Sequence, residues 1–196
     1  MIIQIPPRNF FGRDNIAYWE NFLSPELMAQ LLARPEWANT APGQINESDI
    51  NPEIRKTDVG WLPLTPETNV LWHTFTEVVA EVNRRYFHFD LTGCYESAQL
   101  GTYTAEVNGH YNWHTDACMQ FTRAPRKLSM VLCLSDPSEF EGGELQVKTN
   151  SDNISTLELQ KGRAWFFPSW VLHRVTPVTK GVRKSLVLWS GGPPFK

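Results

Sequence analysis

The second half of the chain constrains its fold most. From about Gly93, short runs rich in β-branched and aromatic residues alternate with turn residues. The runs are Tyr95–Thr104, His110–His114, Lys127–Leu134, Glu144–Lys148, Ile154–Leu159, Arg163–Phe167, Val171–Thr176 and Arg183–Trp189. Gly142-Gly143, Ser151-Asp152-Asn153, Lys161-Gly162 and Lys180-Gly181 punctuate them. Many short strands at near-regular spacing predict an antiparallel sandwich or barrel.

The first half carries two helix signals. Ser24-Pro25-Glu26 offers a hydroxyl cap, a proline suited to the first turn and an acid suited to the helix dipole. Leu27, Leu31 and Leu32 then form one apolar face, ending near Pro35. Thr65-Pro66-Glu67 repeats the signal, and Leu71, Phe75, Val78, Val79, Val82 and Tyr86 follow at helical spacing. That pattern predicts a helix of about five turns. Between them, Trp37 to Trp61 is polar and rich in Pro, Asn and Asp, so it reads as a long loop with one hairpin. The expected architecture is mainly β, a jelly roll buttressed on one sheet by the two N-terminal helices. One domain spans 1–196, with helical support over 1–92 and the β core over 93–196.

Composition narrows the function classes. Hydrophobic residues make up 41% and charged residues 20%, which excludes a disordered chain. With a net charge of −3 and no long Lys/Arg run, neither nucleic acid nor an anionic membrane is an expected partner. Three cysteines (Cys94, Cys118, Cys133) without CxxC spacing disfavour a disulfide framework or a Cys-rich zinc site. Ile2, Ile3 and Ile5 are broken at once by Pro6, Pro7 and Arg8, unlike a signal peptide, and no apolar run reaches the roughly 18 residues of a membrane helix. The expected setting is the reducing cytoplasm.

Of five histidines, His73 and His88 fall in or just after the long helix and read as surface residues; His110 reads as a turn residue. His114-Thr115-Asp116 differs. In an extended strand, residues i and i+2 point to one face, so an imidazole and a carboxylate project together. A third ligand would complete a two-histidine, one-carboxylate face, which leaves open positions and suits non-haem Fe(II). His173 lies in the β-rich stretch Trp165–Val175, and ten residues on come Arg183 and Ser185, again i and i+2. A guanidinium fork beside a hydroxyl is a good receptor for a carboxylate.

His114-x-Asp116, His173 and Arg183-x-Ser185 together resemble the Fe(II)/2-oxoglutarate-dependent oxygenase superfamily. More narrowly they resemble its prolyl-4-hydroxylase-like branch, including PKHD-type hydroxylases. Supporting stretches are Gly109-His110-Tyr111-x-x-His114, Lys127–Ser135, Glu141-Gly142-Gly143-Glu144-Leu145 and His173-x-Val175-x-Pro177-Val178-x-x-Gly181. The resemblance covers about Gly93 to Gly192 and implies a double-stranded β-helix (cupin-like jelly roll). It implies His114, Asp116 and His173 as iron ligands. It implies 2-oxoglutarate with its distal carboxylate on Arg183 and Ser185, and Tyr103 and Trp189 lining the same pocket. Dioxygen is then the oxidant and ascorbate an accessory reductant. The chain departs from some relatives at Cys133, where they carry Tyr.

The implied reaction hydroxylates a C–H bond, yielding succinate and CO2; the retained carboxylate of Asp116 argues against halogenation. In this branch the substrate is usually a peptidyl residue, often proline. Asn51–Trp61 corresponds in position to a substrate-covering loop, so Arg55, Asp58 and Trp61 are candidate substrate contacts. Ala117–Arg126 is a second candidate wall. A free amino acid or other small molecule is the alternative substrate. A nucleic-acid demethylase is disfavoured, because Trp189 stands where that type carries a second Arg. A non-catalytic jelly roll with inert or zinc-binding histidines is the reading from another class.

Overall fold

The structure, a computed structural model, describes residues 16–45, 49–117, 124–148 and 153–194. Most of the second candidate wall, residues 118–123, lies outside them, as do Cys118, the Ser151-Asp152 turn and residues 1–15. Thirteen strands are present among the described residues: β1 (Ala17–Trp19), β2 (Ala41–Pro42), β3 (Arg55–Lys56), β4 (Asp58–Leu62), β5 (Ala98–Thr104), β6 (His110–His114), β7 (Arg126–Cys133), β8 (Phe140–Gly142), β9 (Leu145–Lys148), β10 (Ile154–Leu157), β11 (Ala164–Pro168), β12 (Leu172–Val175) and β13 (Val178–Gly191). The two α-helices are α1 (Pro25–Leu32) and α2 (Asn69–Val82).

A large antiparallel sheet runs β1-β11-β7-β13-β5-β4-β2, with β8 also pairing to β13. A smaller one runs β10-β9-β12-β6-β3. This is the expected double-stranded β-helix. Each strand of the large sheet is sorted by its period of two. On β7, Leu128, Met130, Leu132 and, just beyond it, Leu134 join Phe75, Val79 and Val82 of α2 and Leu31 of α1 in one apolar cluster. The alternate residue Val131 belongs instead to the layer between the sheets, with Leu145, Val147 and Phe167. On β13 the same alternation puts Leu186 and Leu188 on the helix side and aims Arg183, Ser185, Val187 and Trp189 at a cavity between the sheets. The helices thus pack on the opposite face of the wall that carries the candidate site.

Four local expectations are corrected. The segment read as a loop, Trp37 to Trp61, supplies β2, β3 and β4. Arg55 pairs with Tyr111 in the small sheet, while Asp58–Leu62 pairs with β5 in the large one. Its polar content misled because edge strands tolerate polar residues; partners distant in sequence make it β. Helix α2 starts at Asn69, not at Pro66. Buried Thr68 accepts from the Thr65 N–H (2.9 Å) and donates to the Pro63 carbonyl (2.6 Å), closing a turn first. His110 opens β6 and pairs with Lys56 rather than turning. Finally, Lys180-Gly181 is no strand break: β13 runs through it, pairing with β8, and Gly181 takes φ 71°. As expected, His73 is exposed on α2, and exposed His88 follows it in a left-handed conformation.

No described helix is long and apolar enough to cross a membrane.

Candidate active site

Strand pairing creates the site. His114 on β6 stands directly opposite His173 on β12. Two residues later the register slips, so that Val175 faces Tyr111. This irregularity sets an extra residue on β6, and such bulges re-aim side chains. Tyr111 and His114 therefore both line the cavity. Trp113 instead packs under the cations of Arg174 and Lys148. Beyond β6, the Asp116 and Ala117 N–H groups both donate to the Ser169 carbonyl (2.8 and 2.9 Å), fixing the carboxylate beside the two rings.

One ligand atom from each of His114, Asp116 and His173 lies within 4.8 Å of the others. Nε2 of His173 is 3.5 Å from Asp116 Oδ2, and Nε2 of His114 is 3.9 Å from Oδ1. Each histidine has its Nδ1 against a backbone carbonyl: Asn112 for His114 (2.7 Å) and Val171 for His173 (2.9 Å). A carbonyl only accepts, so Nδ1 carries the proton and the Nε2 lone pairs face the shared point. Tautomer control of this kind is what metal-binding histidines use. The donor set of two imidazoles and one carboxylate fits a divalent ion such as Fe(II).

Electrostatics favour the binding-competent forms. Burial, reinforced by the neighbouring His173, holds the His114 imidazole down to a pKa of about 3, so it stays neutral. Burial pushes the Asp116 carboxyl up, but His173, His114 and the Ser129 hydroxyl outweigh it and hold it below its usual range. Ser129 Oγ donates to Oδ2 at 2.7 Å and contacts the Ser169 hydroxyl at 3.0 Å. Tyr111 stacks on the His114 ring, centroids 3.5 Å apart and planes 13° off parallel.

The cavity holds about 580 Å³. Arg183 lines it yet is fully buried. Its Nη1 donates to Ser185 Oγ at 3.2 Å, while Nε and Nη2 have no hydrogen-bond partner among the described residues. Elsewhere in this chain that same pair of nitrogens grips a carboxylate: Arg34 holds Glu36, Arg84 holds Glu81 and Arg126 holds Glu96. Arg183 thus presents an empty bidentate fork. Its stem packs against Gly143, where a Cβ would lie 2.9 Å from Arg183 Cδ, and Gly142-Gly143 turns with φ of 72° and 60°. The two glycines supply both the turn and the space. Tyr103 stands opposite Arg183 on β5, its ring 5.2 Å from the guanidinium carbon.

Of the sequence candidates, His114, Asp116, His173, Arg183, Ser185, Tyr103, Trp189, Arg55 and Trp61 all line this one cavity. Asp58 does not: it is exposed, and on β4 it alternates with Val59 and Trp61, which face inward. Cys133 is buried with its thiol on the Ser135 carbonyl (3.3 Å) and is not part of the lining. Sequence reasoning missed Ser129, Ser169, Tyr111 and the ion-paired Arg126–Glu96, which lies under the Trp189 ring (3.7 Å from the Arg126 guanidinium carbon). Ser129 had a signal, since it is a hydroxyl amid the apolar run Leu128–Leu134. Ser169 had none.

Comparison with known proteins agrees with this geometry. Residues 98–191 match the family model of the 2OG-Fe(II) oxygenase superfamily. A PKHD-type hydroxylase of Azoarcus sp. (strain BH72) is 31% identical over 180 residues, covering 84% of this chain and 72% of the relative. The chain belongs to the 2OG-Fe(II) oxygenase superfamily and, within it, to the PKHD-type hydroxylases. Matches to three other curated PKHD-type relatives, two of Synechococcus sp. and one of Acidovorax ebreus, span only 37–43% of those proteins' length. Among solved structures, a Pseudomonas putida prolyl-4-hydroxylase shares the fold with TM-score 0.70 at 19% identity, covering 92% of this chain and 94% of that one. A Trichoplax adhaerens prolyl hydroxylase, solved with a hypoxia inducible factor peptide fragment, does so with TM-score 0.73 at 18% identity, covering 90% and 83%.

Proposed function

We propose that this chain is an Fe(II)- and 2-oxoglutarate-dependent dioxygenase that hydroxylates a C–H bond, forming succinate and CO2. The preferred substrate is a peptidyl residue such as proline. One observation carries the reading: a fully buried guanidinium with an empty carboxylate-binding edge shares a cavity with a two-histidine, one-carboxylate face. An inert jelly roll has no use for that pair. The peptide preference is supported by the solved prolyl hydroxylase with a bound peptide fragment.

Each side chain then has a task. His114 and His173 offer their Nε2 atoms, each ring oriented by its Nδ1 contact to the Asn112 or Val171 carbonyl. Asp116 contributes an anionic oxygen, its carboxyl held below the usual range by His173 and His114 and then by the Ser129 hydroxyl. Arg183 and Ser185 receive the distal carboxylate of the keto acid and so set its orientation. Tyr103 and Trp189 line its flanks, and Val131, Val187 and Val175 keep the interior apolar. Iron, when bound, supplies the oxidising chemistry that couples decarboxylation of the co-substrate to oxygen insertion. The chain orients the reactants, with the Trp61 and Trp189 rings facing each other at 6.4 Å on the cavity wall.

The test is succinate formation from 2-oxoglutarate with Fe(II), combined with a peptide-library search for a mass gain of one oxygen. His114→Ala and Asp116→Ala are expected to abolish succinate while the fold persists. Full turnover by Asp116→Ala would refute the ligand assignment.

A further inference from the structure

Arg55 is a second buried cation of the cavity, and the co-substrate does not account for it. It sits on β3 opposite Tyr111, with its guanidinium carbon 4.4 Å from that ring's centroid. Only 6% of it is exposed. Nη1 donates to the Gln44 carbonyl at 2.8 Å, but Nε and Nη2 have no hydrogen-bond partner among the described residues. These are again the two nitrogens with which Arg34, Arg84 and Arg126 hold carboxylates. Gly43 packs directly against the guanidinium, where a Cβ would lie 2.4 Å from Arg55 Nε and displace it.

The charges of the cavity show what is missing. Arg126 is neutralised by Glu96. A divalent ion, the Asp116 carboxylate, the two carboxylates of the keto acid and Arg183 cancel formally. Among the described lining residues Arg55 alone then keeps a full positive charge without a counter-charge. A buried guanidinium in that state is costly unless an anion arrives with the ligand. The planar Nε/Nη2 edge selects a carboxylate over a carbonyl, because two parallel charge-assisted hydrogen bonds form at once.

We propose that Arg55 anchors an anion subsite that takes a carboxylate of the substrate, supplied by an acidic side chain near the reacting residue or by a free amino acid. This rests on the oxygenase reading above and narrows its substrate class.

The test is calorimetric binding to the full chain loaded with Mn(II) and 2-oxoglutarate. One arm uses end-blocked prolyl peptides carrying Glu or Gln beside the proline, on either side. The other compares L-proline with L-prolinamide. The carboxylate probe is expected to bind about tenfold more tightly than its amide in one arm, which identifies the source. The preference should vanish in Arg55→Gln, shrink in Gly43→Ala, which leaves all charges in place, and partly survive in Arg55→Lys. Equal binding of acid and amide in both arms, binding of neither, or a preference retained in Arg55→Gln would overturn the subsite. The oxygenase reading fails separately, if the wild type with Fe(II) makes no succinate.

Discussion

Replacing Arg183 by Met should make the ligand-free protein more stable while abolishing its response to 2-oxoglutarate. Arg183 is fully buried, and two of its nitrogens have no acceptor among the described residues. Each unmade hydrogen bond of this kind costs about 1–3 kcal/mol. Methionine keeps the apolar stem against Gly143 but loses the 3.2 Å bond to Ser185, a net contribution of about 1 kcal/mol, and the cation–π contact with Tyr103, worth about 1 kcal/mol more. The balance is a gain of about 2 kcal/mol, or roughly 4–8 °C in Tm for a chain of this length. The co-substrate loses its bidentate anchor and should bind about 100-fold more weakly. Thermal unfolding reads both effects, with and without Mn(II) and 2-oxoglutarate. At a concentration near 100 times its Kd, the keto acid should stabilise the wild type by about 2.7 kcal/mol and the variant by under about 0.5 kcal/mol. If Arg183→Met lowers the ligand-free Tm and keeps the 2-oxoglutarate shift, the reasoning about the empty fork is wrong.

Three further outcomes follow from the site. Ser129→Ala removes the 2.7 Å donor that holds Asp116, so Mn(II) affinity by calorimetry should drop about 10–100-fold, as for other outer-shell partners of metal ligands; a change under about twofold would count against that role. His114 has a folded pKa of about 3 against an ordinary 6.5, so below about pH 6.5 the unfolded chain binds the extra proton. The metal-free protein should therefore lose stability as pH falls from about 6.5 toward about 3, by up to ~1.4 kcal/mol per unit from this group. The depressed Asp116 carboxyl adds to the loss below its ordinary 3.8. Denaturant melts at about pH 6 and about pH 4 should show a smaller difference in His114→Asn, and an equal one would contradict the account. Gly143→Ala meets both a positive φ and a 2.9 Å approach to Arg183; it should cost more than about 1 kcal/mol in a urea melt and weaken 2-oxoglutarate binding, and an unchanged midpoint would show the turn to be permissive.

Much of this architecture was legible in the sequence because its signals are local. All eight runs of the second half became strands, since alternation and turn residues report directly on a two-sided sheet. His114 with Asp116, and Arg183 with Ser185, could be paired because each pair lies two residues apart. The register that sets His114 opposite His173 joins residues 59 apart, and only the resemblance anticipated it. The strands β3 and β4 were hidden for the same reason: β3 pairs with β6 about 55 residues further along and β4 with β5 about 40 further along, and β2 in turn pairs with β4. Asp58 was misassigned because the resemblance gives a segment but not which of its faces points inward. Tyr111 shared a motif with His114 but gained a role only through the register slip between β6 and β12.

The central claim is that one ferrous ion sits among His114, Asp116 and His173 with a 2-oxo acid reaching toward Arg183. Anaerobic titration with Fe(II) and 2-oxoglutarate, followed by visible absorption, tests it most directly, because a 2-oxo acid chelated to ferrous iron gives a charge-transfer band. The account predicts a band that saturates at one iron per chain, is lost in Asp116→Ala and His173→Ala, and needs far more 2-oxoglutarate in Arg183→Met. Absence of the band in the wild type, or its persistence in both ligand variants, would contradict it.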